Sequence, residues 1–277
     1  MIRRIFFRDR KLKMIWAIRK NNLESYLIGS AHFSPYRFER SLGYYISKVD
    51  TVLFEGPLDE KSMNKVIQRG FKTSDDRSLL DVVEYGVLRD LIQKLLLSDS
   101  YQFATGYHFK DLHKQIEESY IEQLKELKVW SGFFALWSEF LKKRQWKYSV
   151  DKEAYKIAKK FNKQIVFLET IDEQIQALEN IPVKRILSFI KNFEQWDKYS
   201  KKYKKYYLKG DIQNLMFISE NFPTRCESIV EKRDLILYER MHPFLERNSI
   251  LVFCGTIHIK GITERLIENG YKIKPYH

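Results

Sequence analysis

Four short apolar runs, each stopped by a histidine or a glutamate, constrain this chain more than any other feature. Tyr26-Leu27-Ile28 leads into Gly29-Ser30-Ala31-His32, and Thr51-Val52-Leu53-Phe54 ends at Glu55-Gly56-Pro57. Ile165-Val166-Phe167-Leu168 ends at Glu169, and Ile250-Leu251-Val252-Phe253-Cys254 leads into Gly255-Thr256-Ile257-His258. Short apolar runs rich in β-branched and aromatic residues read as buried strands. Helical periodicity separates them. Ala154, Ile157, Ala158 and Phe161 repeat at helical spacing before the Ile165 run. Val183, Ile186, Leu187, Ile190 and Phe193 form a second stripe, and Ile229, Val230, Ile236, Leu237, Met241 and Phe244 a third. Such alternation predicts an α/β fold, a layered sheet with helices packed on it.

Strand directions should be mixed. Met14-Ile15-Trp16-Ala17-Ile18 and Tyr26-Leu27-Ile28 flank Asn21-Asn22, which suits an N-terminal hairpin turn. Tyr271-Lys272-Ile273-Lys274 closes the chain with strand-like alternation. The stretch from about 79 to 148 shows no comparable strands and reads as a helical insertion or cap. The whole of 1–277 is expected to form one domain.

Composition narrows the class. The charged share of 31% and hydrophobic share of 44% are ordinary for a globular protein, and the 15% aromatic share argues against long disorder. No apolar window approaches the roughly 20 residues a membrane span requires. The N-terminal Ile5-Phe6-Phe7 stretch is too short for a secretory h-region of about 7–15 residues, so a cytoplasmic location is expected. The two cysteines, Cys226 and Cys254, are expected to be free thiols. A net charge of +13 would favour anionic partners. Lysine-rich compositional bias is the preferred explanation, and nucleic acid is not the expected partner. The densest basic run, Lys201 to Lys205, reads as a solvated helix face. Trp130, Phe133, Phe134, Trp137, Phe140 and Leu141 repeat at helical spacing and read as core.

In open α/β sheets ligands bind beyond the carboxyl ends of the strands, so His32, Glu55, Glu169 and His258 should meet at one rim. Each alone has an ordinary structural reading, as a hydrogen-bonded histidine or a turn-capping glutamate. Two matching Gly-x-x-His turns beside a strand-end glutamate point further. Gly29 and Gly255 lack a Cβ, so the backbone can turn sharply or approach a ligand closely there. Two imidazoles and a carboxylate suit a divalent transition metal (Mn, Co or Zn) with open positions for water or substrate. Arg233 lies on the third apolar stripe, four residues after Ile229, and a guanidinium facing a core demands acceptors. Glu55, Glu169 or an anionic substrate group would serve. His108, His113, His242 and His277 are not expected at the site.

The ordered set of motifs resembles the TraB/PrgY/GumN family, which includes the Tiki proteases. Ile15-Trp16 through His32 resembles its first strand pair and GTxH turn. Val52-Leu53-Phe54-Glu55 matches the strand ending in the family's functional glutamate. Ser78-Leu79-Leu80, the block Ser149-Val150-Asp151-Lys152-Glu153-Ala154, and Phe167-Leu168-Glu169-Thr170 with Glu173-Gln174 follow in order. Lys209-Gly210-Asp211, Arg233-Asp234, the closing Gly255-Thr256-Ile257-His258-Ile259-Lys260-Gly261 and Gly270-Tyr271 complete it. Asp234 stands where the family usually has Asn, and Ile259-Lys260 where it usually has Leu-Pro.

The resemblance implies a metal-dependent hydrolase of amide or ester bonds, peptidase-like, with a peptide or small-molecule substrate. His32, Glu55 and His258 would bind the metal or share it with acid–base roles. Arg233 would neutralise oxyanion charge or orient Glu55. Gly29, Ser30, Asp151, Glu169, Gly255 and Thr256 would support the site or touch substrate. Family breadth leaves a rival open: a protein that sequesters a peptide, haem or another small ligand without turnover, since a shared fold does not transfer a reaction.

Overall fold

The computed structural model describes residues 9–96 and 107–276. Six strands form one mixed sheet: β1 (Ile15–Lys20), β2 (Leu23–Ser30), β3 (Thr51–Phe54), β4 (Gln164–Phe167), β5 (Ile250–Gly255) and β6 (Lys272–Pro275). Their order across the sheet is β4-β3-β5-β2-β1-β6. β4, β3, β5 and β2 are mutually parallel, so their carboxyl ends reach the same edge. β1 runs antiparallel to both of its neighbours. The hairpin between β1 and β2 turns at Asn21 and Asn22, whose φ values of 49° and 66° give the type I′ geometry that matches strand twist.

Burial follows position in the sheet. Central β5 is enclosed along nearly its whole length, whereas the outer β4 and β6 are partly open. Exposed Lys272 and Lys274 on β6, followed by Pro275, guard that free edge against further pairing.

The helices, in chain order, are α1 (Glu39–Ser47), α2 (Glu60–Gly70), α3 (Tyr85–Leu96), α4 (Tyr107–Lys125), α5 (Val129–Lys143) and α6 (Val150–Lys160). They continue as α7 (Ile171–Glu179), α8 (Val183–Lys191), α9 (Trp196–Lys209), α10 (Ile212–Ile218), α11 (Glu231–Leu245) and α12 (Ile259–Glu268). Their starts carry the expected chemistry. Ser149 caps α6 by accepting from the Lys152 N–H, and Thr170 with Glu173 forms a capping box on α7.

Two apolar cores result. One lies on the sheet, built from residues such as Ile15, Leu27, Phe54, Leu237 and Phe253. The other is helical and centres on Phe133, Trp137, Phe189 and Trp196. The 79–148 stretch is helical where described, as expected, but the helical core does not stop there. α7, α8 and the start of α9 join it: α8 and Trp196 of α9 pack against α5, and α7 packs against α2. The aromatic stripe of α5 packs inward: Trp137 stacks on Phe140 and meets Trp196 edge-on, each with centroids 5.1 Å apart. Among the described residues no helix is long and apolar enough to cross a membrane. Cys226 and Cys254 are both free, Cys254 within β5.

Candidate functional site

The parallel register brings the polar strand ends together. Phe54 lies between Phe253 of β5 and Phe167 of β4, so Glu55 emerges between Gly255 and the start of the Glu169 turn. The Glu169 N–H donates to the Glu55 carbonyl at 2.6 Å, extending the ladder by one step and setting the two carboxylates side by side. Two buried carboxylates so close would repel unless a cation stood between them.

Arg233 on α11 is that cation. Its Nε donates to Glu169 Oε1 at 2.8 Å, and its Nη2 donates to Glu169 Oε2 at 2.6 Å and to Glu55 Oε2 at 3.0 Å. The other Glu55 oxygen accepts from the Gly255 N–H. Burial alone would raise the Glu55 pKa. Nearby His258 and Arg233, then the Gly255 N–H and the His32 charge, outweigh it and bring the carboxyl down to about 2. Burial likewise works against the Arg233 charge, but Glu169 and Glu55 keep it firmly protonated. Arg233 has both of the carboxylate partners anticipated from its place on the apolar stripe.

His258 is almost fully enclosed, at 1% exposure. A short turn after β5 carries it into the start of α12. Its Nδ1–H donates to Asp234 Oδ1 at 2.6 Å. A carboxylate can only accept, so Nδ1 carries a proton and Nε2 is the ring nitrogen turned away from Asp234. Nε2 is buried without a hydrogen-bond partner and stands 3.8 Å from Glu55 Oε1. Burial raises the Asp234 pKa, with the bond to His258 pulling the other way. Gly261 makes room for this carboxylate: a Cβ there would lie 1.9 Å from Asp234 Oδ2.

His32 sits differently. Its side chain is 72% exposed, and its Nδ1 is 3.1 Å from Asp151 Oδ2. Asp151 opens α6, whose first N–H, that of Val150, donates to the Ala31 carbonyl, so the helix start and the first Gly-x-x-His turn are tied together. The ring is open to solvent, although protein surrounds it at longer range. That surrounding protein disfavours its charge, but the Asp151 carboxylate, aided by Glu55, pushes its pKa up to about 9.

The two glycines of the turns serve close approach rather than unusual backbone, since neither has a positive φ. A Cβ on Gly29 would press within 3.3 Å of Thr256 and Ile259, and one on Gly255 would lie 3.2 Å from Glu55 Oε1. Ser30, 2% exposed, pairs in register with Gly255. Thr256 is buried, and its Oγ1 meets the Tyr203 hydroxyl at 3.2 Å. One turn further along α9, the Tyr207 hydroxyl donates to the Gly29 carbonyl at 2.9 Å. A single helix thus pins both turns through side chains four residues apart, which share one face.

Sequence reading did not single out Tyr203, Tyr207 or Gly261, and treated Asp234 only as a departure from a family pattern. Tyr203 and Tyr207 were hidden inside the basic run, whose lysines Lys201, Lys202 and Lys205 point to solvent. Asp234 had a signal available: it is buried although it directly follows the one arginine on an apolar stripe. His242 stands near Glu246 on α11, away from this rim, and Lys260 is exposed beside Glu264. The side chains of His108 and His113, and all of His277, lie outside the described residues.

Donor chemistry for a divalent ion is present in part. His258 offers a desolvated imidazole nitrogen backed by a carboxylate, the usual support for a metal-bound histidine, and Glu55 lies beside it. The third expected donor, His32, does not complete the set: among the described residues no three His, Cys, Asp or Glu side chains converge closely enough to hold an ion. A cavity of about 700 Å³ lies elsewhere, lined by Arg10, Arg40, Tyr44 and Tyr276 among others, and includes none of these residues.

The TraB/PrgY/gumN family model matches residues 14–275, almost the entire chain, and the chain belongs to that family. No curated protein matches it.

Proposed function

We propose that this member of the TraB/PrgY/gumN family hydrolyses amide or ester bonds, with a peptide as its substrate. The reading is carried by one observation: a buried His258 Nε2 with no hydrogen-bond partner, set beside Glu55 while Asp234 holds the other ring nitrogen. A desolvated ring nitrogen without a partner is costly unless something uses it.

Within the proposal, Asp234 keeps His258 in the tautomer that presents Nε2, which accepts a proton or ligates an ion. Arg233 holds Glu55 ionised and aimed, and its guanidinium would stabilise negative charge on a reacting carbonyl oxygen. His32, cationic near neutral pH, contributes a donor at the open mouth. Glu169 is fully occupied by Arg233 and acts by positioning it. Tyr203 and Tyr207 hold the two turns in register.

His258, Glu55 and His32 are the residues that would hold a divalent transition ion (Mn²⁺, Co²⁺ or Zn²⁺). Such an ion would activate a water and polarise the scissile carbonyl. The rival reading, ligand sequestration without turnover, draws support from the same incomplete donor set.

Elemental analysis of tag-free wild type and the His32→Ala/His258→Ala variant, both checked for folding, tests the reading. Near-stoichiometric metal in the wild type alone is expected after loading with each of the three ions. Equal, negligible metal in both would remove the metallohydrolase. A Soret band lost in either single variant would move the assignment to haem binding. With a cleaved peptide in hand, Glu55→Gln should abolish turnover.

A further inference from the structure

Two arginines beside the second Gly-x-x-His turn lack what Arg233 has. Arg225, in the loop between α10 and α11, is half-buried, and among the described residues its guanidinium donates from Nη1 to the Ile257 carbonyl at 3.2 Å. Ile257 immediately precedes His258. Arg185, on α8, donates through Nη2 to the carbonyls of Glu220 at 2.5 Å and Phe222 at 3.1 Å. Its Nε is buried with no partner. The two guanidiniums lie near enough for Arg185 to work against the Arg225 charge. Among the described residues neither forms an ion pair with a carboxylate; Glu231, Asp234 and Glu220 act on Arg225 only at longer range.

The contrast with Arg233 is physical. There, two carboxylates within 3.0 Å overcome burial and strengthen the charge. At Arg225 burial is the largest influence and the pKa falls. A desolvated cation without a counterion is unfavourable, and two adjacent cations more so. Unspent N–H donors on a planar fork have a specific complement, a carboxylate bound by two parallel bonds.

We propose that Arg225, supported by Arg185, forms a subsite for a carboxylate of the substrate, which makes acid-bearing peptides the preferred class. The inference rests on the hydrolase reading for the word substrate, but the subsite is defined by binding alone. A carboxylate held at Arg225 lies beside the turn that carries His258. The carboxylate comes either from a peptide C-terminus or from an acidic side chain near the cleaved bond.

The test reads the Arg225 side-chain N–H resonance in ¹⁵N-arginine-labelled full-length protein, assigned with Arg225→Lys. Four probes are titrated: N-acetyl-Ala-Ala, its C-terminal amide, N-acetyl-Ala-Glu-amide and inorganic phosphate. A saturable shift with one or both acid-bearing peptides, and none with N-acetyl-Ala-Ala-amide, is expected. Which acid-bearing peptide binds more tightly identifies terminal or side-chain carboxylate. Arg225→Gln should weaken that peptide at least ~10-fold, as for loss of a charge-assisted pair. Arg185→Gln, which leaves the bond to Ile257 untouched, should weaken it severalfold and guards against a misfolded first variant. No saturable shift with either acid, equal shifts with acid and amide, or tighter binding of phosphate would each overturn the assignment. Because no turnover is read, an inactive protein that binds the acid retains the subsite while losing the hydrolase, and the converse result is equally plain.

Discussion

Replacing Arg233 by methionine isolates the central electrostatic arrangement. Methionine keeps an unbranched side chain of comparable reach but removes the charge shared by Glu55 and Glu169, whose side chains are 13% and 1% exposed. Taking one partner from a buried ion pair costs about 3–5 kcal/mol, because the other charge is left uncompensated. The Glu55 pKa gives a second measure. A drop from 4.5 to about 2 corresponds to about 3 kcal/mol at roughly 1.4 kcal/mol per pH unit, and Arg233 supplies only part of it, alongside His258, the Gly255 N–H and His32. Glu169 adds its own share, so a loss of about 3–5 kcal/mol at pH 7 is the expected total.

The pH dependence has a definite sign. In the wild type Glu55 has a lowered folded pKa, so its contribution is present above about pH 4.5 and is lost as pH falls toward 2. In Arg233→Met, Glu169 is buried beside Glu55 without the cation that stood between them, so the doubly charged pair is disfavoured and takes up a proton at higher pH than in the wild type. The gap to the wild type therefore narrows as pH falls from 7 toward 4. Urea unfolding of both proteins at pH 7, 5.5 and 4.5 should show the gap narrowing steadily. A gap below about 1 kcal/mol at pH 7, smaller than any buried pair should give, would refute the reasoning, as would a gap that does not change with pH.

Gly261→Ala would place a methyl group 1.9 Å from Asp234 Oδ2, so a loss of about 1–3 kcal/mol is expected despite the better helix propensity of alanine. Adding Asp234→Ala should recover part of it, a non-additivity read by urea unfolding of the four proteins in the cycle. Tyr207→Phe leaves the buried Gly29 carbonyl without its Tyr207 donor and should cost about 1–3 kcal/mol by thermal or urea unfolding. Tyr203→Phe should cost less than Tyr207→Phe, because Tyr203 is only partly buried.

Much of the architecture was legible because it rests on local patterns. Short continuous apolar runs marked the strands and period-3.6 repeats the helices, and the Asn21-Asn22 pair marked the hairpin, because few other residues accept two successive positive φ values. The rule that parallel strands present their carboxyl ends to one edge was enough to gather Glu55, Glu169 and the two Gly-x-x-His turns. Arg233 announced itself as a charge on an apolar stripe, and an acceptor was required wherever it went.

What one dimension withheld was every decision made between distant elements. The sequence could state that Arg233 needs carboxylates, but the β3–β4 register determined that it would have two. It placed His32 and His258 in matching motifs, yet their surroundings differ sharply: His258 is enclosed with Asp234 behind it, and His32 is open beside Asp151. It showed an aspartate beside Arg233 without showing that Gly261 clears a space for it, and it showed a lysine run without the tyrosines that reach back to both turns. Apolar periodicity is a property of neighbours along the chain and survives in the sequence. Desolvation, charge pairing and the orientation of a ring nitrogen depend on atoms tens to hundreds of residues apart, and the packed structure alone sets those.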